Sequence, residues 1–303
     1  MSERGYSLVE LIVSLAILLA VFGSVCQLAS PAHATAIVQA ELQDMQQRAR
    51  VVRDRLTQDL WLAGAGTSTG QRRGPVLSYF SPLLPAACCG SVADPPGSVL
   101  SDRLTIAYVP RSSRDALTTA QIAPASLRLD VSPGPSCPSS VPVCGFADGE
   151  LLVVFDDSGR YDVFTLDLSS GLPMLSPVTL PFASQYDSGA TVARVVLRTY
   201  YRDPSSDQLF VVDDGGSPEP VVDRLTALRF EYRDAAGVSL DAQIGDGPWR
   251  GAGATLYDAD LLRVRRVRVT YTIRSGLAGT GAVAVPDLTS AFEIALRNAP
   301  GSP

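Results

Sequence analysis

The chain has 303 residues, 46% of them hydrophobic, with 25 Gly and 22 Pro, which is length enough for one large core or two modest ones. Its net charge of -6 argues against a general nucleic-acid binder, whose affinity rests on neutralising phosphates. All 25 basic residues are Arg and the one His is His33, which excludes a Walker-type phosphate loop, a Schiff-base lysine, a Ser-His-Asp or Cys-His site in the soluble part, and metal sites built on His.

The first ten residues read Met1-Ser2-Glu3-Arg4-Gly5-Tyr6-Ser7-Leu8-Val9-Glu10, and Leu11 to Ala29 is apolar except for Ser14, Gly23, Ser24 and Gln27. Such a run is long enough to cross a bilayer. Arg4 on its N-terminal flank sets that end in the cytoplasm. Glu10 is the anomaly, because a carboxylate at the edge of a spanning helix costs about 2–3 kcal/mol unless it has a partner. Cleavage after Gly5 would free the amine of Tyr6 one helical turn from Glu10, or beside the Glu10 of a neighbouring subunit. The two charges would then neutralise one another and set an axial register.

Gly5, an aromatic at Tyr6, Glu10 five positions into the mature chain and an apolar helix together resemble the prepilin leader of type IV pilins and type II secretion pseudopilins. The resemblance implies a cut after Gly5 by an inner-membrane prepilin peptidase and methylation of the Tyr6 amine, although the family's usual residue there is Phe. It further implies assembly with other pilin subunits through the helix, on an inner-membrane platform; no cofactor and no enzymatic activity are expected. Two other readings compete for the same segment. An ordinary secretory signal would end at Ala32-His33-Ala34, and a lipoprotein would use Cys26, although Gly23, Ser24 and Val25 make a poor lipobox.

From Thr35 to Leu62 the residues are helix-forming, and Val38, Leu42, Met45, Ala49, Val52, Leu56 and Leu60 recur at spacings of four and three. This predicts one apolar stripe, with Glu41, Asp44, Arg48, Arg50, Arg53, Asp54 and Arg55 on the other faces. Pro31 predicts a kink near the membrane surface, and Gly64 and Gly66 predict the helix end. From Tyr6 to Leu62 the stem would be about 85 Å long. The stretch Leu56-Thr57-Gln58-Asp59-Leu60 running into Ala63-Gly64 resembles the stem end of PilW-like and J-type minor subunits. Asp59 reads equally as a surface residue.

Beyond Gly64 the composition shifts to Gly, Pro, Ser and short β-prone runs. Predicted strands are Arg103 to Val109, Leu151 to Phe155, Tyr161 to Leu168, Val192 to Tyr201, Gln208 to Val212, Leu225 to Tyr232, Val264 to Ile273 and Ala291 to Leu296. Asp157-Ser158-Gly159, Asp203-Pro204-Ser205 and Asp214-Gly215-Gly216 punctuate them as hairpin turns. The alternation around Leu262 to Ile273 slips by one residue, which predicts a bulge or a strand start near Arg265-Arg266. Arg263, Arg265, Arg266, Arg268 and Arg274 read as a solvated strand face, or alternatively as a surface for an anionic partner. Residues 85 to 150 read as long loops pinned by disulfide and as a candidate specificity surface. The stretch Val222 to Gly237 and the closure on Leu296-Arg297-Asn298 again resemble the PilW-like and J-type subunits.

Cys88, Cys89, Cys137 and Cys144 make an even number in the soluble part, which suits an oxidising compartment. Cys137 and Cys144 bracket a Pro-rich loop and are the favoured local pair. A bridge from Cys88 or Cys89 to either is the competing connectivity, while adjacent Cys88 and Cys89 would strain a mutual bridge. Asp156-Asp157 and Asp213-Asp214, the latter followed in sequence by Asp241 and Asp246, are weak candidates for calcium. Both pairs sit beside Gly, where a hairpin turn favours Asp anyway.

These readings assemble into an α+β chain, with a long N-terminal membrane-spanning helix carrying an antiparallel β-sheet head. Residues 1–5 would be leader, 6–30 transmembrane and assembly helix, 31–64 the periplasmic half of the stem, and 65–303 a β-rich periplasmic head. The expected role is a minor pilin or pseudopilin in a bacterial inner membrane and then in a pilus or pseudopilus. A filament-tip adhesin or DNA-binding subunit, or a secreted carboxylate-type hydrolase, are the alternatives.

Overall fold

The computed structural model describes residues 7–66, 76, 81–84, 101–110, 115–126, 128–132, 146–158, 160–167, 174–176, 182, 184–214, 216–244, 261–277 and 284–299. Helix α1, Leu8–Leu62, runs as one element through Pro31 for 55 residues, about 80 Å. Its end is a tight turn. Ala63 is extended (φ -51°, ψ 127°) and Gly64 takes φ +74°, while the Ala65 amide bonds to the Leu62 carbonyl at 2.8 Å. A type II turn demands positive φ at its third position, and Gly64 supplies it without steric cost. The Gly64 amide then donates to the Ala107 carbonyl, handing the chain to the head.

The head is antiparallel throughout. Its strands are β1 (Leu83–Leu84), β2 (Arg103–Tyr108), β3 (Asp115–Thr118), β4 (Val131–Ser132), β5 (Leu151–Phe155), β6 (Tyr161–Asp167), β7 (Met174–Ser176), β8 (Thr191–Arg194), β9 (Val196–Asp203), β10 (Gln208–Asp213), β11 (Glu219–Val222), β12 (Leu225–Arg233), β13 (Arg266–Ile273) and β14 (Leu288–Ala295). A short helix α2 spans Asp241–Ile244. Three sheets result, ordered β1-β2-β9-β10-β11, β12-β13-β14 and β4-β3-β8-β5-β6-β7. The predicted turns close the β5–β6, β9–β10 and β10–β11 hairpins. The predicted start near Arg265-Arg266 is where β13 begins, after a 3₁₀ turn over Leu261–Arg263.

Several expectations are corrected. The single run Val192 to Tyr201 is two strands, because the chain leaves the six-stranded sheet at Arg194 and joins the five-stranded one at Val196. Short β3 and β4 lie inside the segment expected to be loop, since β3 takes a partner distant in sequence (Asp115↔Ala193) and β4 is only two residues paired on β3. The final strand starts earlier, at Leu288, to match β13 along its length.

One core joins α1 to the five- and three-stranded sheets: Met45, Val52, Leu56 and Leu60 of the stem pack with Leu104, Tyr200, Leu209, Phe230, Val269 and Tyr271. Full burial of each stem side chain contributes about 1.5–3 kcal/mol. Leu42 departs from the expected stripe and is 40% exposed. The six-stranded sheet has its own core around Leu152, Phe164, Phe182 and Tyr186. A third cluster, including Ala107, Val109, Val153, Phe155 and Leu197, joins it to the rest of the head.

Candidate assembly interface on the N-terminal helix

The segment Leu8–Val25 is long and apolar enough to cross a membrane, and none of it is buried by the rest of the chain. Leu8 and Phe22 are 76% and 67% exposed. Water does not tolerate such a cylinder, so lipid or neighbouring helices must cover it. Glu10 lies on its first turn, where the positive end of the helix dipole favours an anion. Its carbonyl accepts the Ser14 hydroxyl at 2.8 Å, and its carboxylate has no ion-pair partner among the described residues. Gly5 and Tyr6, the expected cleavage and methylation positions, lie outside the described residues, as do Cys88, Cys89, Cys137 and Cys144.

The outer half of α1 is held by the head through polar contacts as well as apolar ones. Near the membrane end, the Glu41 carboxylate accepts the Gly276 amide at 2.5 Å and pairs with Arg224 at 3.2 Å. Arg224 itself sits at φ +57°, and a Cβ at Gly276 would come within 2.4 Å of its guanidinium. A side chain at Gly276 would therefore push the Arg224 guanidinium aside. Two turns on, Arg48 bridges Asp44 of the stem and Asp223 of the head.

At the far end Asp59 is 4% exposed, contrary to a surface position. Arg198 on β9 reaches it at 2.8 Å and binds Asp213 through two bonds of 2.6 Å. The Tyr200 hydroxyl donates to the same carboxylate, and Arg55 lies 3.7 Å away. The bonds to Asp213, with the Asp59 charge acting against desolvation, hold Arg198 firmly protonated. Burial, then the Asp59 charge, pushes the Tyr200 hydroxyl well above the usual phenol range, so it stays a donor. Beyond the helix end, the Asn298 amide donates to the carbonyls of Trp61 (3.2 Å) and Ala63 (2.9 Å), while Arg297 stacks 3.9 Å over the Trp61 ring. Terminal carbonyls left over by the helix are satisfied in this way.

The sequence foresaw neither cluster. Spacing does carry a signal for Asp59, since positions 56, 59 and 60 fall on one helical face, but its partners lie 139 and 141 residues away.

The weak calcium candidates are occupied by protein groups. Asp156 accepts the Ser158 amide at 2.9 Å and pairs with Arg160 at 2.6 Å, as a turn aspartate does. Asp213 faces Arg198, and Asp214 exchanges bonds with the Leu197 backbone. Asp241 accepts the Tyr232 amide at 2.8 Å, and Asp246 lies outside the described residues. Among the described residues no group of three His, Cys, Asp or Glu could hold a metal ion. The Arg-rich strand is compensated in charge: Arg266 pairs with Glu293 at 3.2 Å, Arg268 with Glu231 at 3.9 Å and Arg274 with Asp207 at 2.8 Å. Arg266 and Arg268 on the wet face of β13 thus form cross-strand ion pairs, and Arg274 just beyond the strand pairs with a turn aspartate.

No curated protein and no solved structure matches the chain. Residues 1–25 match the prokaryotic N-terminal methylation motif. That motif stands at the start of the exposed apolar helix that carries the antiparallel β head.

Proposed function

We propose that this chain is a minor pilin or pseudopilin, cleaved after Gly5, methylated on Tyr6 and assembled through α1 into a type IV pilus or type II secretion pseudopilus, which it primes or caps. The observation that carries this reading is the continuity of one helix. The methylation motif of residues 1–25 runs into an unburied apolar segment, and the same helix continues without a break into a half that the head grips. An ordinary signal peptide has no need to be the first half of a 55-residue helix ending in the protein's main core. Before assembly the N-terminus faces the cytoplasm and the head the periplasm. Glu10 neutralises a Tyr6 amine and sets the subunit's axial register. The size of the head favours a minor, tip-near place. The paired state of Arg266, Arg268 and Arg274 leaves a DNA-binding tip without support from this strand.

The test is mass spectrometry of the mature N-terminus in cells with and without prepilin peptidase, with filament incorporation measured alongside for Glu10→Ala. The expected result is a chain starting at methylated Tyr6 only when the peptidase is present. Glu10→Ala should still insert in the membrane and lose most incorporation. A mature start at Thr35, independent of the peptidase, would sink the proposal.

A further inference from the structure

The last turn of α1 contains a side chain that helix physics disfavours twice. Asp59 puts an anion at the negative end of the helix dipole, and no basic residue in that turn offsets it. It is also buried beside Leu56 and Leu60, where a carboxylate is costly unless fully partnered. A Leu at this position would extend the apolar face and remove both penalties. The partners that offset them, Arg198 and Tyr200, come from one strand of the head.

The apolar stripe is by itself a poor ruler. Val52, Leu56 and Leu60 repeat every four residues, so sliding the stem by four residues, about 6 Å, exchanges one aliphatic for another. Hydrophobic contact is non-directional and would oppose such a slip only weakly. A buried carboxylate between two fixed donors does oppose it, because a slip takes Asp59 away from Arg198 and Tyr200 in a poorly solvated place and leaves it only Arg55 of its own helix. At the other end the partners are more open: the Arg224 that faces Glu41 and Asp44 is 40% exposed, and the Asp223 that Arg48 reaches is 54% exposed, so solvent weakens these contacts.

We infer that Asp59, clamped by Arg198 and Tyr200, is the key that fixes the axial and rotational register of the head on its stem. Resting on the assembly role proposed above, this gives the clamp a purpose. Neighbouring helices set the stem's position in a filament, and the head follows that position only as rigidly as it is keyed to the stem.

The test uses the full chain in detergent and in producing cells, with two variants. Asp59→Leu combined with Arg198→Met replaces the buried pair by apolar volume, and Tyr200→Phe removes one hydroxyl. The double variant should melt within a few degrees of the parent, as apolar replacements of buried pairs commonly do. Its amides over residues 49–62 should exchange about ten-fold faster or more, because the stem samples other registers. Filament incorporation should fall about ten-fold, with cleavage after Gly5 unchanged. Tyr200→Phe should move both readouts the same way by a smaller factor. Parental exchange and incorporation in the double variant, at unchanged melting temperature, would overturn the inference. If the double variant does not fold, parental exchange in Tyr200→Phe overturns it instead. Failure of the parent chain itself to be processed or to enter filaments would count against the pilin reading, and the exchange result would still stand or fall by itself.

Discussion

Asp214 shows how a single turn residue bears on stability. It takes φ +52° after β10, accepts the Leu197 amide at 2.8 Å, and lies close to Arg194, Arg198 and Asp213. Burial pushes its carboxyl above the ordinary 3.8, and the two guanidinium groups and the amide bond only partly oppose this. A folded-state value above the unfolded one means that the folded chain holds this proton more tightly. The contribution to stability is therefore full below the unfolded value and lost as pH rises through the folded value. Asn tolerates the same left-handed backbone, accepts the same amide bond and never ionises. Asp214→Asn should thus melt at or above the parent at pH 7 and lose that advantage near about pH 3. Melting curves at the two pH values check it, and an advantage that grows on acidification would refute the assigned cause. Asp223 has the opposite sign: despite some desolvation, Arg48 holds its carboxyl low, so the contact between stem and head weakens as pH falls. At this scale the sequence revealed what is local. Gly5, Tyr6 and Glu10 form a motif that reads without a fold, and the aspartates beside Gly read as turns. The Asp59 clamp and the Glu41 contact with Gly276 join residues more than a hundred positions apart, and no spacing rule reaches that far.

Among the elements, the stem was the most legible, since a four-and-three spacing over seven apolar positions has one reading. Spacing cannot say how far along the stripe the head extends. Met45 is buried and Val38 only partly packed, so the core thins toward the membrane and leaves Leu42 at its margin. Two substitutions separate the regimes. Leu56→Ala opens a cavity under the head and should cost about 2–5 kcal/mol, whereas Leu42→Ala should change stability by less than about 0.5 kcal/mol. Urea unfolding of the two variants measures both, and equal losses would mean that the stripe is buried to its end. The longer strands were legible through their turns. Strands β1, β3, β4, β7 and β11 were missed because two to four residues carry too little alternation, and their partners alone make them strands.

On the scale of the molecule, the head divides along its chain path. Strands β3 to β8 all fall between β2 and β9, two strands that pair directly and end side by side at Tyr108↔Val196. Among the described residues, the core that holds the stem takes none from this stretch. The six-stranded sheet is therefore an elaboration of one hairpin connection, with its own core and a seam of Ala107, Val109, Val195 and Leu197 against Leu151, Val153, Phe155 and Ala193. Because the two strand ends are neighbours, a short hairpin turn can replace residues 110–194 without straining either sheet. Such a chain should keep cooperative unfolding and slow amide exchange over residues 49–62, since the bonds from Gly64 to Ala107 and from Val109 to Ala65 remain. Its weakness should be solubility, because Ala107, Val109 and Leu197 become an exposed apolar seam. A polar substitution at Leu197 should relieve that without affecting the stem core. Loss of cooperative unfolding in the shortened, polar-substituted chain would show that the six-stranded sheet props up the stem-bearing half. Retention would make the stem and the half-head that grips it an independent folding unit, with the six-stranded sheet an addition that its stability does not need.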